Sequence, residues 1–190
     1  MNEFTLYLRL GFEHIADIRA FDHILFLLTL TAIARFKHWK WLIWMVTAFT
    51  LCHTLTLIMA GLNIYRPPAS WIEFLIPVTI LVTALFNLTK AGMDPGSRAK
   101  VFMAGVFGLV HGFGFSNYYR MIVLDSSDIW TSLLPFTVGI ELGQLLIVLI
   151  ILLIGALLEF VFKVKPRDWN LFTSGVAFGL ALYLAMNNWP

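Results

Sequence analysis

The sequence predicts an all-α, polytopic membrane protein, on three observations. It is 59% hydrophobic and its mean hydropathy is +0.83. Only 13% of its residues are charged, whereas a soluble domain carries about 25%. Apolar segments of about 20 residues, the length that crosses a bilayer core of roughly 30 Å as a helix, recur along the chain. We therefore expect a single integral membrane domain over residues 1–190.

The apolar segments predict a bundle of six transmembrane helices. The expected spans lie near 22–36, 41–61, 71–89, 101–118, 131–160 and 170–188. Residues 1–20 are too charged to span the bilayer, but apolar side chains at every second position from 4 to 12 make the segment partly apolar. We expect this segment to lie at the membrane interface or to tuck into the bundle.

The connecting loops predict the orientation. Three of them, 35–40, 90–100 and 163–167, are basic. The intervening loops, 62–70 and 119–130, hold one arginine each, and the second also holds two aspartates. Because basic loops stay in the cytoplasm, both termini are expected outside. We expect the bacterial inner (cytoplasmic) membrane as the location.

Ionisable side chains inside apolar segments are costly in a bilayer and are candidates for function. In the predicted orientation, Asp22, His23 and Glu73 lie at the outer ends of their helices, and His111 and Glu141 lie near the middle of the membrane. His53 lies about 18 Å from the inner end of its helix. Five helices thus place ionisable groups in the same outer half of the membrane. The set is His14, Asp22, His23, His53, Glu73, His111 and Glu141. This agreement in depth predicts one shared polar site.

Four histidines with three carboxylates predict a transition-metal site. Imidazole and carboxylate together suit Zn, Ni, Co, Fe or Cu(II), and the single cysteine excludes a cysteine-rich site. Asp22 is expected to cap the helix N-terminus or to orient a histidine as a hydrogen-bond acceptor. The expected ligands of one or two ions are His14, His23, His53, His111, Glu73 and Glu141.

Two geometric conditions follow. His14 and His23 are nine residues apart and would face opposite ways on a continuous helix, so the segment 16–21 must break the helix if both are ligands. Glycines four residues apart predict close helix packing. The pairs are Gly108 and Gly112, Gly139 and Gly143, and Gly175 and Gly179. Close packing around His111 would bring ligands from other helices near one ion.

Structural roles are the alternative for each residue. A lone intramembrane histidine can hydrogen-bond a neighbouring helix, and Glu73 near a helix start can favour the helix dipole. Cys52 is expected to pack in the core. His38 lies in a basic loop and is expected to be solvated.

Five segments resemble the HupE/UreJ-like membrane proteins in content and order. They are GFEHIADIRAFDHILFLLTL, TAFTLCHTLTL, WIEFLIPVTI, FGLVHGFGF and VGIELGQL, and they cover roughly residues 10–150. The resemblance implies a nickel or cobalt permease. The His-spacer-Asp-His motif of the family falls on His14, Asp22 and His23, with a seven-residue spacer where many members have a shorter one. The family's other polar positions are similar to His53, Glu73, His111, Glu141 and Gln144, and Thr54 stands where a serine is common.

Three functions remain open from the sequence. A metal permease is the first. It needs a path to the inner side, where the sequence offers only uncharged groups such as Thr47 and Thr50. An intramembrane metalloenzyme acting on a lipid or peptide from the outer face is the alternative, with Glu141 or Glu73 as base. A metal-sensing or chaperoning role beside another membrane protein is the third. Expected partners are lipid, the metal ion, and a second copy or an accessory membrane protein; no nucleic-acid-binding patch is present.

Overall fold

A computed structural model describes residues 2–18, 21–123 and 129–190, and these residues form seven α-helices with no strand. The prediction of an all-α fold is confirmed. The two aspartates expected in an outer loop, Asp125 and Asp128, lie outside the described residues. The helices are α1 (Glu3–Ala16), α2 (Phe21–Thr31), α3 (Trp39–Gly61, preceded by a 3₁₀ turn at Phe36–His38), α4 (Ala69–Phe86), α5 (Arg98–Val123), α6 (Ile129–Phe160) and α7 (Pro166–Asn187).

Five helices are long and apolar enough to cross a membrane, namely α3 to α7. Their bounds agree with the last five predicted spans to within five residues. Many of their large apolar side chains are exposed; along α6 these include Leu134, Leu142 and Leu153. Such a surface is stable against lipid and not against water. The chain is therefore an integral membrane protein.

The first predicted span, 22–36, is realised differently. Its helix α2 ends at Thr31 and has 11 residues, so it is about 16 Å long, roughly half of the bilayer core. Seven of its eleven residues are apolar and seven are buried, including His23 and both threonines, so most of the helix surface faces protein. Accordingly, α2 packs against α4, α6 and α7 in the middle of the bundle.

Helix α1 packs along α6 through glycines. A Cβ added at Gly139 would collide with the backbone of Leu8, and one added at Gly11 would collide with the backbone of Phe136. Gly143 lies against Ile15, so the later glycine of α6 contacts a later residue of α1 than Gly139 does. The two helices therefore run in the same direction at close range, as small residues permit. Residues 3–16 of the predicted interfacial segment form this helix.

Helix α3 packs on α5 through a second pair of glycines. A Cβ at Gly108 would collide with the carbonyl group of Phe49, and one at Gly112 with that of His53. Close packing is thus confirmed for two of the three predicted glycine pairs. It is wrong for Gly175 and Gly179, where no described atom lies within 4 Å of an added Cβ.

Helix α7 presents a different small-residue stripe to the bundle. Its buried positions include Ser174, Ala177 and Ala181, and Gly175 is about 100° away from Ser174 around the helix. Helix rotation in the bundle therefore decides which small residues are used. The buried side of α7 also joins a polar network, in which the Asn87 side-chain nitrogen donates to the Thr29 carbonyl (2.7 Å) and to the Ser174 hydroxyl (3.0 Å).

Candidate metal centre

A break between α1 and α2 brings His14 and His23 together. Helix α1 ends at Ala16, and α2 begins at Phe21. Arg19 and Ala20, in the predicted breaking segment, lie outside the described residues. The two imidazole rings meet edge to face with their centroids 4.8 Å apart. The break that joint coordination by these histidines requires is therefore present.

His53 on α3 and His111 on α5 complete a group of four imidazoles, which we call the histidine cluster. The His53 ring centroid lies 6.0 Å from that of His14, and the His111 centroid lies 5.2 Å from that of His23. The exposed fractions of His23, His53 and His111 are 6%, 0% and 1%. Four helices thus converge on one buried, nitrogen-rich point.

A hydrogen bond fixes the free nitrogen of the His111 ring, and a nearby carboxylate acts on that of His23. The His111 Nδ1 atom lies 2.8 Å from the carbonyl oxygen of Phe107. Since a carbonyl can only accept, this Nδ1 carries the proton and Nε2 keeps its lone pair. The His23 Nδ1 atom lies 3.2 Å from the Asp22 carboxylate without forming a hydrogen bond, and the negative charge favours a proton on this nitrogen. A neutral histidine anchored at one nitrogen is the usual form of a metal ligand.

The remaining nitrogens suit a cation. Among the described residues, the Nε2 atoms of all four histidines have no hydrogen-bond partner, and neither do the Nδ1 atoms of His23 and His53. An unsatisfied buried polar atom costs about 1–3 kcal/mol, which a bound ion would offset. One donor atom from each of His14, His23 and His53 lies within 4.8 Å of the others. Nitrogens on one ion at about 2.1 Å are at most about 4.2 Å apart, so these three would have to approach one another slightly to bind the same ion.

Phenylalanine rings surround the histidine cluster. The His14 ring packs on Phe115, with centroids 3.7 Å apart, and Phe49 lies 5.4 Å from His111 and 5.8 Å from His53. These apolar rings exclude water and so strengthen the electrostatic interactions at the site. These rings were not predicted from the sequence, although Phe49 precedes His53 by four residues and hence shares its helix face.

The three predicted carboxylates do not meet at one point. Asp22 contacts His23, as described above. Glu73 is exposed and lines a cleft of about 300 Å³ together with Asp22 and Asn188. The Glu141 carboxylate accepts a hydrogen bond from the Thr47 hydroxyl (2.6 Å) between α3 and α6.

The two residues added by the family resemblance also join α3 to α6. The Gln144 side-chain oxygen accepts a hydrogen bond from the Thr50 hydroxyl (2.7 Å). The Thr54 hydroxyl lies 3.0 Å from that of Thr137. His38, expected to be solvated, is partly exposed and accepts a hydrogen bond from the Arg35 backbone nitrogen at Nδ1 (3.1 Å).

Replacing Asp22 by asparagine tests its role as the acceptor that orients His23. The change keeps the shape of the side chain but removes the charge that favours a free Nε2 on His23. Loss of such a partner typically weakens metal affinity by about 10–100-fold, which we expect here. Competition for Co²⁺ with a coloured chelator measures it, and Asp168→Asn, at the first turn of α7, is the control. Unchanged affinity in Asp22→Asn would contradict the assignment.

Comparison with known proteins gives the family. No curated protein and no solved structure matches the chain. The family model described as HupE / UreJ protein matches residues 1–187, almost the whole chain. The chain therefore belongs to the HupE / UreJ protein family.

Proposed function

We propose that the protein is a permease for a divalent transition-metal ion such as nickel or cobalt. The observation that carries the proposal is the histidine cluster, in which four imidazoles from four helices, three of them buried, have nitrogens without partners among the described residues. Nitrogen donors without thiolate suit these ions. Membership of the HupE / UreJ family supports the same class of ion.

The proposed topology has six crossings with both termini outside. Helices α1 and α2 together make the first crossing, since their combined length of about 37 Å exceeds the bilayer core. Helix directions support this arrangement. The contacts of α1 with α6 are parallel, and α2 runs against α5, with His23 near His111 and Phe26 near Phe107. The three basic loops, 35–40, 90–100 and 163–167, would then all lie on one side of the membrane, the cytoplasmic side.

The ion is proposed to enter through the cleft lined by Glu73 and Asp22. Both carboxylates attract cations to this concave surface, and field lines concentrate in such clefts. Asp22 also touches His23, so the cleft adjoins the histidine cluster directly. His14, His23, His53 and His111 are the proposed ligands. Glu73 is then a collecting group at the mouth, and Asp22 is the link between mouth and cluster.

Transport is tested with the full chain in liposomes loaded with a metal-sensitive dye. We expect wild-type protein to give Ni²⁺ or Co²⁺ influx that saturates with concentration. The double variant His53→Ala, His111→Ala should reduce the initial rate to that of protein-free liposomes, because it removes half of the proposed ligands. His38→Ala, which changes a histidine outside the histidine cluster, is the matched control and should transport normally.

The alternatives predict different results in the same preparation. An intramembrane metalloenzyme would hold its ion tightly and stoichiometrically and show no flux. An accessory protein would show neither flux nor retained metal. Flux that survives in the double variant would remove the histidine cluster from the transport path.

A further inference from the structure

A ladder of four polar side chains lies between α3 and α6, which we call the threonine–carboxylate ladder. It consists of two hydrogen-bonded pairs. Thr50 with Gln144 is the pair nearer to His53 along α3, and Thr47 with Glu141 is the pair further from it. From the sequence, only uncharged groups were expected on the inner side of the histidine cluster. The structure brings a carboxylate to that side, because the rotation of α6 directs Glu141 to Thr47.

The ladder is displaced from the histidine cluster toward the inner end of α3. Thr50 and Thr47 precede His53 by three and six residues, which corresponds to about 4.5 and 9 Å along the helix axis. The donor atoms of the histidines that lie within 4.8 Å of one another belong to His14, His23 and His53. Glu141 thus bonds to a residue that precedes His53 by one to two helical turns on α3.

The carboxylate of Glu141 has binding capacity left. Its Oε1 atom accepts the Thr47 hydrogen bond, whereas its Oε2 atom is buried and has no partner among the described residues. A buried charge with one hydrogen bond is costly unless a cation or proton joins it. Gln144 is 1% exposed, and its amide oxygen is already turned toward the same helix interface. Carboxylate, amide and hydroxyl oxygens therefore converge there.

We propose that Glu141, Gln144, Thr47 and Thr50 form a second cation station, through which a divalent metal ion passes from the histidine cluster toward the cytoplasm. The inference rests on the proposed permease function. An oxygen station binds nickel or cobalt more weakly than the histidine nitrogens do. Weak binding suits an exit position, because conduction requires that the ion can leave each site.

The test is equilibrium dialysis of the detergent-purified full chain against Co²⁺. We expect the wild type to bind one ion that survives gel filtration and a second that is present only with Co²⁺ in excess. Glu141→Gln should keep the first and weaken the second by at least about 10-fold, as loss of a charged ligand implies. Glu159→Gln is the matched control, because Glu159 is also on α6 but pairs with Arg35 at the inner end (2.8 Å).

Three results would overturn the second station, and a fourth would separate ion binding there from transport. Loss of the tight ion in Glu141→Gln would make Glu141 a ligand of the histidine cluster, and unchanged binding of both ions would leave it without a role; either overturns the proposal. A wild type that binds one ion only also overturns it. Loss of the weak ion in a protein without flux upholds the second binding site, whereas the permease function and the passage of ions through that site fail. Should Glu141→Gln not fold, Thr47→Val is expected to weaken the second ion alone.

Discussion

Replacing His53 by alanine is expected to lower the affinity for Ni²⁺ or Co²⁺ by at least about 100-fold, the upper end of what the loss of a mere supporting partner costs. His53 is fully buried at 0% exposure, and neither of its nitrogens has a partner among the described residues. It is also the member of the histidine cluster that shares a donor-atom group with His14 and His23. Removing it leaves fewer nitrogens within reach of one ion.

The measurement is metal content by mass spectrometry after gel filtration, followed by competition with a chelator. His38→Ala supplies the matched control, since His38 interacts with the Arg35 backbone in the loop before α3. The structural alternative, in which His53 only packs between helices, makes the opposite prediction. It expects a less stable protein whose metal content equals that of the wild type.

Replacing Gly112 by leucine is expected to destabilise the protein by about 3 kcal/mol, the upper end for overpacking a core. Even the Cβ atom would collide with the carbonyl of His53 and the hydroxyl of Thr56. The backbones of α3 and α5 must then separate, which also moves His53 away from His111. We therefore expect metal retention to fall together with the midpoint of thermal unfolding in detergent.

Gly175→Leu is the matched control for this effect. It makes the same substitution in a helix that is predicted to cross the membrane, but no described atom lies within 4 Å of an added Cβ. The leucine should reach lipid and change stability by no more than about 0.5 kcal/mol. Equal destabilisation by both substitutions would show that helix separation at Gly112 is not the cause.

Local properties of the sequence predicted most of the fold. Helices α3 to α7 lie where the sequence has apolar segments long enough to cross a membrane. They could be predicted because the length of an apolar segment does not depend on which helices pack against it. The requirement for a break between His14 and His23 was also readable, since it follows from helix periodicity alone. The convergence of the four histidines agrees with their expected shared depth in the membrane.

Rotation and pairing of helices could not be read from one sequence. Gly139 and Gly175 both begin a pair of glycines four residues apart, yet only the first lies against a neighbouring backbone. Glu141 has the same expected depth as His111, but the rotation of α6 gives it Thr47 as a partner. The first span was predicted to end at residue 36, five residues too late, because the apolar run continues beyond Thr31 while the helix does not.

The pairing of α1 with α6 has a consequence for biosynthesis. His14 is near the start of the chain, and the helix that supports it through Gly139 and Gly143 begins more than a hundred residues later. The packing that supports His14 in the histidine cluster is therefore a long-range contact, which can form only after α6 has been synthesised and inserted.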